Sequence, residues 1–68
     1  MKLSARNQLP GVVKSVTLGN VMAEVVVDVD GNEVVAAITR KSAENLNLQQ
    51  GTPVTVIIKS TEVMLATD

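Results

Sequence analysis

Hydrogen-bond donors and cations are concentrated in three short stretches of this chain. Near the amino terminus, Ser4 and Arg6 are separated by a single residue, so in an extended segment their side chains share one face. The second stretch contains Thr39 and Ser42, and the third is Lys59-Ser60. Hydroxyl, ammonium and guanidinium groups together suit a small anion rich in acceptor oxygens, because each supplies a proton and two of the three also supply positive charge.

Each stretch also has a purely structural interpretation. The residues around Ser4 and Arg6 could form a solvated, frayed terminus, since terminal residues are often poorly ordered. Thr39 and Ser42 are typical of the capping position of a helical turn. Lys59-Ser60 could be an exposed strand end. Between Thr39 and Ser42, Arg40-Lys41 could be a solvated basic pair. The case for anion binding depends on the three stretches meeting in space, which spacing alone does not establish.

Composition excludes several classes of chemistry. The chain has 68 residues and is read as a single domain spanning 1–68. Because it contains no Cys and no His, it lacks Ser–His and Cys–His nucleophile pairs, thiolate ligands and imidazole ligands. Its carboxylates are scattered over strand and turn positions, and none is marked as an acid–base pair. We therefore predict a binding protein without catalytic residues and without a site for a free metal cation.

The same composition favours self-association. The chain has no aromatic residue, so its core must consist of aliphatic side chains and Met. Domains this small usually need additional support, and disulfides are excluded here. Net charge is −1, and nucleic-acid binding of the OB-fold kind requires a basic groove with aromatic stacking platforms, so we expect no nucleic-acid partner. The amino terminus has no signal-peptide core and no apolar run approaches the ~20 residues of a membrane span, which predicts a cytoplasmic protein without membrane contact.

Strand signals follow one another along most of the chain. The odd-numbered residues between Val21 and Val29 are all apolar, while Glu24 and Asp28 point to the other face. Asp30-Gly31 is a strong hairpin-turn signal, and Pro10-Gly11 predicts a break between a short amino-terminal arm and the first strand. The predicted strands cover 12–18, 21–29, 33–39, 54–59 and 62–66, with a helical turn within 40–48.

This order predicts an all-β fold, namely an OB-fold-like five-stranded Greek-key barrel with one short helical turn between strands three and four. An SH3-like barrel is the main competing fold. The arm before the first strand is a spare extended segment. In a chain with so little internal support, it suggests exchange with a neighbouring copy, which would also cover an open sheet edge.

The sequence resembles the molbindins, the small molybdenum-binding Mop proteins. The resemblance is carried by Ser-Ala-Arg-Asn-Gln-Leu at 4–9 followed by Gly11, and by Val56 to Met64 with its Lys-Ser-Thr-Glu segment. Between them it continues through Ala23-Glu24-Val25, Ile38-Thr39 with Ser42, and Leu46 and Leu48 before Gly51. It spans essentially the whole chain in order.

The resemblance implies an exchanged amino-terminal strand, a homohexamer arranged as a trimer of dimers, and molybdate or tungstate bound at subunit interfaces. Carried over residue by residue, the family's oxyanion site contains Ser4, Ala5, Arg6, Thr39, Ser42, Lys59 and Ser60. Ala5 enters because the arm could serve partly through backbone N–H groups. A second site near the threefold axis is assigned to Gly19 and Asn20.

Three functions were weighed. The first is storage and homeostasis of molybdate or tungstate in the cytoplasm, favoured because the chain stands alone while similar Mop domains in regulators and transporter ATPases are tethered to other domains. The second is a molybdate-sensing module that binds another protein. The third is a nucleic-acid-binding OB-fold, which the missing aromatic residues disfavour.

Overall fold

A computed structural model describes residues 1–68, and its secondary structure is almost entirely antiparallel sheet. In chain order the elements are β1 (Asn7–Leu18), β2 (Met22–Val29), β3 (Asn32–Thr39), α1 (Arg40–Asn45), β4 (Pro53–Ile58) and a 3₁₀ turn (Ser60–Glu62). The four strands form one sheet in the order β3-β2-β1-β4. The all-β class and the helical turn between the third and fourth strands are therefore confirmed.

Strand β1 takes part in two ladders. Its first half pairs with β4 from Asn7↔Ile58 to Val12↔Pro53. Its second half pairs with β2 from Val12↔Asp28 to Leu18↔Ala23. The register shifts between Val13 and Ser15, so a bulge follows the point where β1 passes from one ladder to the other. The first half of β1 and β4 thus form a two-stranded ribbon, of which Val54 and Val56 pack against the core.

The predicted break at Pro10-Gly11 is wrong, because both residues lie inside β1. Pro10 falls in the half of β1 that has a neighbouring strand on one side only, where a missing N–H is tolerated. Gly11 allows close approach to β2, since a Cβ built on it would lie 2.7 Å from the Asp28 carbonyl oxygen. Pro-Gly is typical of turns, but here it lies within a strand, where β1 comes close to β2.

The predicted fifth strand over 62–66 is also wrong for the single chain. The chain turns at Ser60–Glu62 and forms no strand after it. Val63, Met64 and Leu65 are 45%, 92% and 93% exposed. A strand needs an edge to pair with as well as a suitable sequence, and the turn directs this apolar segment away from the edges of its own sheet.

Strands β2 and β3 form the hairpin that the sequence predicts, with continuous pairing from Met22↔Thr39 to Val29↔Asn32. Asp30 and Gly31 have φ values of 51° and 86°, and the Gly31 N–H donates to Asp28 Oδ1 at 3.0 Å. Positive φ at both central residues is the geometry that favours Asp-Gly in hairpin turns.

The core of the single chain is small, as its aliphatic composition predicts. Only 5 of 68 residues are buried, namely Val13, Ala23, Val25, Val27 and Ala43. Many large apolar side chains remain at the surface, including Val21 at 71% and Val35 at 60% exposure. A chain with so small a core gains stability by burying more of this apolar surface through association, as the composition predicts.

One ion pair spans the outer face of the sheet. Lys14, at the bulge of β1, donates to Glu33 of β3 across the intervening strand β2. This hydrogen bond and the charge of Glu33 raise the pKa of Lys14 above its ordinary value, with a smaller contribution from Asp28. Because the pKa is raised, any stability from the pair is present at neutral pH and is lost only as the pH rises through the lysine pKa.

The helices of the structure are too short to span a membrane.

Candidate functional site

The ladder between β1 and β4 brings the two ends of the chain together. Its last pair is Asn7↔Ile58, and the residues directly beyond that pair are Arg6 on one strand and Lys59 on the other. Given the spacing within and between strands, their Cα atoms lie within about 13 Å of each other. Ser4 and Ala5 precede Arg6, and Ser60 follows Lys59. Two of the three donor stretches therefore adjoin within one protomer.

The two cations at this tip have no acidic partner. The ion pairs of the chain are Lys14–Glu33 and Arg40–Glu44, and neither involves Arg6 or Lys59. Both residues are exposed. Two like charges close together repel each other, and an anion placed between them would relieve that repulsion. The tip therefore has the electrostatic character of an anion-binding site.

Backbone donors are also available at the tip. The N–H groups of Arg6 and Lys59 take no part in the backbone hydrogen bonds of the turns, loops and caps, and both residues lie outside the strands. The Asn7 side chain donates to the Ile58 carbonyl oxygen at 3.1 Å, and the Gln8 side chain donates to the Ala5 carbonyl oxygen at 2.7 Å. The free N–H groups give a tetrahedral oxyanion directional partners in addition to charge.

The third donor stretch caps the helix. The Ser42 N–H donates to Thr39 Oγ1 at 3.1 Å, and the Thr39 hydroxyl donates to Ser42 Oγ at 2.8 Å. Thr39 is the N-cap of α1 and has extended backbone. The capping interpretation is therefore confirmed. The Ser42 hydroxyl proton has no acceptor in the chain, so it can still be donated to a ligand.

Replacing Thr39 with Ala should lower the free energy of unfolding by about 0.5–2 kcal/mol, because the cap bond to the Ser42 N–H is lost. Thermal unfolding of the anion-free protein measures this change. Thr39→Ser keeps the hydroxyl and is the matched control, and it should retain most of the stability. If Thr39→Ala proved as stable as the parent protein, the cap would not stabilise α1.

The helix cap lies at the opposite end of β1 from the charged tip. Thr39 pairs with Met22 at the start of β2, next to the Leu18 end of β1, whereas the tip adjoins Asn7. A strand of 12 residues spans up to about 36 Å when extended. Within one protomer, the structure does not bring Thr39 and Ser42 to the Arg6–Lys59 tip.

Gly19 and Asn20, assigned to a second site, form the turn between β1 and β2. The Gly19 N–H donates to the Met22 carbonyl oxygen at 2.7 Å. Asn20 lines an open cleft of about 400 Å³ together with Val21, Thr39, Arg40, Lys41 and Glu44. The turn and the helix cap are thus neighbours, which sequence spacing did not indicate.

Arg40 differs from the solvated residue that the sequence suggests. It is half-buried, and its guanidinium donates to the Gly19 carbonyl oxygen at 3.3 Å and to Glu44 at 3.5 Å. Arg40 therefore ties the helix to the turn between β1 and β2, and its charge is partly neutralised. Lys41 is exposed and forms no ion pair.

Comparison with known proteins agrees with this architecture. The model of the TOBE domain matches residues 3–65. Molybdenum-pterin-binding protein 3 of Clostridium pasteurianum is 47% identical over 66 residues, which cover 96% of this chain and 97% of that protein. The chain belongs to the TOBE family, among its Mop proteins. The resemblance seen in the sequence is thereby confirmed.

Solved structures give the same result for the fold of this Mop protein. A molybdate-binding protein from Sporomusa ovata superimposes with a TM-score of 0.93 at 45% identity, covering 98% of this chain and 100% of that chain. MopII from Clostridium pasteurianum gives a TM-score of 0.91 at 40% identity, covering 97% of this chain and 100% of that one. These similarities place the chain in a family of binding proteins rather than of enzymes.

Longer relatives contain the same domain as one part. The molybdenum transport protein ModE of Azotobacter vinelandii is 48% identical over the full length of this chain, which spans only 26% of that protein. The domain is thus found both as nearly the whole of a small protein and as about a quarter of a larger one.

Proposed function

We propose that this Mop protein binds molybdate or tungstate and serves to store the oxyanion and buffer its concentration in the cytoplasm. The observation that carries the proposal is the meeting of two unpaired cations, Arg6 and Lys59, at the end of the β1–β4 ladder. Relatives that match almost end to end are named for binding molybdenum-pterin or molybdate. Of these, the oxyanion is the ligand that the donors of this chain suit, because no aromatic side chain is present to stack on a pterin.

The proposed site consists of charged and hydroxyl side chains with the backbone of the arm. Its members are Ser4, Ala5, Arg6, Thr39, Ser42, Lys59 and Ser60. Arg6 and Lys59 neutralise the doubly negative ion, and the hydroxyls and N–H groups fix its orientation. Hydrogen bonds to a charged group contribute about 1.5–3 kcal/mol each, so a few well-aligned donors are sufficient for tight binding.

The site is completed at an interface between subunits. Thr39 and Ser42 lie at the far end of β1 from Arg6 and Lys59, so a pocket containing all of them draws on at least two chains. The small core and the exposed segment Val63–Leu65 supply a reason for the chains to associate. The proposed assembly is a homohexamer, a trimer of dimers, in which the amino-terminal arm is exchanged and a fifth strand completes the barrel. Exchange would form between two chains the same β1–β4 ladder that the structure has within one, so Arg6 would remain beside a Lys59. Gly19 and Asn20 are proposed to contribute to a second site near the threefold axis.

Saturating molybdate should raise the melting temperature, because a ligand that binds only the folded assembly stabilises it by about 2.7 kcal/mol at one hundred times the Kd. Native mass spectrometry in the same buffers, with and without molybdate, should show a hexamer that carries bound oxyanion. Sulfate at equal concentration and ionic strength is the control for general salt effects.

Two results would count against the proposal. An unchanged melting temperature at saturating molybdate would argue against oxyanion binding itself. A monomer in the mass spectrum that nevertheless binds the oxyanion would overturn the interfacial site while leaving the ligand in place.

A second function is favoured by one observation. The match to a molybdenum transport protein in which this domain spans only 26% of the length suggests a module that responds to the oxyanion and contacts another protein. A pull-down that requires molybdate would favour this function over storage. We expect no nucleic-acid partner, and binding to an oligonucleotide that weakens steeply with salt would contradict that expectation.

A further inference from the structure

The side-chain carboxamides of two residues next to the charged tip donate hydrogen bonds to backbone carbonyl groups at the tip. Asn7 donates to the Ile58 carbonyl oxygen at 3.1 Å, and Gln8 donates to the Ala5 carbonyl oxygen at 2.7 Å. We propose that Asn7 and Gln8 are positioning residues, which orient the backbone donors of the oxyanion site before the anion arrives. This inference rests on the proposed function, since it concerns the same site.

The bond from Gln8 acts on the peptide group that carries the Arg6 N–H. The chain has no cis peptide bond, so the Ala5 carbonyl and the Arg6 N–H point in opposite directions from one rigid plane. Holding the carbonyl therefore also sets the direction of the N–H. Because the Arg6 N–H has no backbone acceptor, it remains a donor whose orientation Gln8 controls.

The bond from Asn7 acts in the same way on the opposite strand. The Ile58 carbonyl belongs to the peptide group that carries the Lys59 N–H, which likewise has no backbone acceptor. Asn7 and Ile58 are 51 positions apart in sequence, so this one bond also fixes the arm against the end of β4. Each carboxamide thus holds the carbonyl of the residue that directly precedes one of the two cationic residues.

The expected effect comes from pre-organisation. Without its bond, each peptide plane can rotate in the free protein, and the lost freedom then opposes binding. A single surface hydrogen bond of this kind corresponds to a change in Kd of about threefold to tenfold. The anion-free fold should be little affected by loss of the Gln8 bond, because Gln8 is exposed.

Gln8→Met tests the inference because it keeps the length of the side chain and removes the donor. Isothermal titration with molybdate should give about threefold to tenfold weaker binding, with an unchanged melting temperature of the anion-free protein. The NMR order parameter of the Arg6 amide in the anion-free protein should fall, because its peptide plane gains freedom. Gln50→Met is the matched control, since Gln50 is exposed and its side chain forms no hydrogen bond, and it should match the parent protein in all three measurements.

Asn7→Leu is the corresponding change on the other peptide and should lower the NMR order parameter of the Lys59 amide. Asn7 is half-buried, so if this variant fails to fold, the exposed Gln8 still decides the matter. Parent-like affinity together with a parent-like order parameter of the Arg6 amide in Gln8→Met would overturn the inference. Failure of the parent protein to bind molybdate would overturn the proposed function instead, and the order-parameter measurement, which needs no ligand, keeps the two outcomes apart.

Discussion

Replacing Lys59 with Ala is expected to weaken molybdate binding by about 2–5 kcal/mol, equivalent to roughly 30-fold to several-thousand-fold in Kd, because the proposed subunit interface buries the pair of Lys59 and the anion. Lys59 is one of two cations at the tip of the β1–β4 ribbon, and it forms no ion pair in the chain. Its removal leaves a doubly negative ion facing Arg6 alone. Isothermal titration at fixed ionic strength measures the change, and Arg6→Ala should have an effect of the same order.

Lys2→Ala provides the matched control for Lys59→Ala. It removes the same charge from the exposed amino-terminal segment, outside the proposed set of binding residues. A general loss of positive potential would affect both variants similarly, whereas a direct contact would affect Lys59→Ala far more. Parent-like affinity in Lys59→Ala would remove this residue from the site.

The second large effect is expected for Gly11→Ala, which should lower the free energy of unfolding by about 1–3 kcal/mol. The new Cβ would lie 2.7 Å from the Asp28 carbonyl oxygen and 2.7 Å from Val27 Cγ1. Relief requires β1 and β2 to separate at the point where β1 changes partners. For a domain of this size, each kcal/mol corresponds to roughly 4–8 °C in melting temperature, which thermal unfolding readily detects.

Ser15→Ala is a suitable control for Gly11→Ala, because Ser15 is exposed on the same strand beyond the bulge. It should change the melting temperature by much less. If Gly11→Ala proved as stable as the parent protein, the close contact between β1 and β2 would not be a constraint on the fold.

Much of the fold can be predicted from local patterns. The hairpin of β2 and β3 follows from alternating apolar residues and the Asp30-Gly31 turn, because both signals depend only on neighbours in the chain. The start of β1 cannot be predicted in this way. Pro10-Gly11 resembles a turn, and the reason for Gly11 is a contact with Asp28, which is distant in sequence. The segment 62–66 has a strand-like sequence but lacks an edge to pair with in the single chain.

The candidate site, like the fold, can be predicted from the sequence only in part. Residue chemistry identified the three donor stretches, but it could not show which of them adjoin. The register of Asn7 with Ile58 brings the first and third together, and that pairing joins positions 51 residues apart. The place of Thr39 and Ser42 in the site depends on contacts between chains, and their role in binding stays a prediction. The bonds from Asn7 and Gln8 to the Ile58 and Ala5 carbonyl oxygens could not be predicted, since carbonyl orientation has no signature in sequence.

The division of β1 between two ladders limits how far a bound ligand can slow hydrogen exchange in this domain. The ribbon of β1 and β4 carries the tip, whereas most buried side chains lie in the part of the sheet formed with β2. Because Val54 and Val56 of β4 pack against the core, we expect local opening of the ribbon to be confined to its end at Asn7 and Ile58, at a lower free energy than collapse of the whole sheet. An anion at the tip first suppresses ribbon opening. Once that opening becomes rarer than collapse of the whole sheet, the slowest-exchanging amides of the ribbon report the strength of the core rather than the affinity of the site.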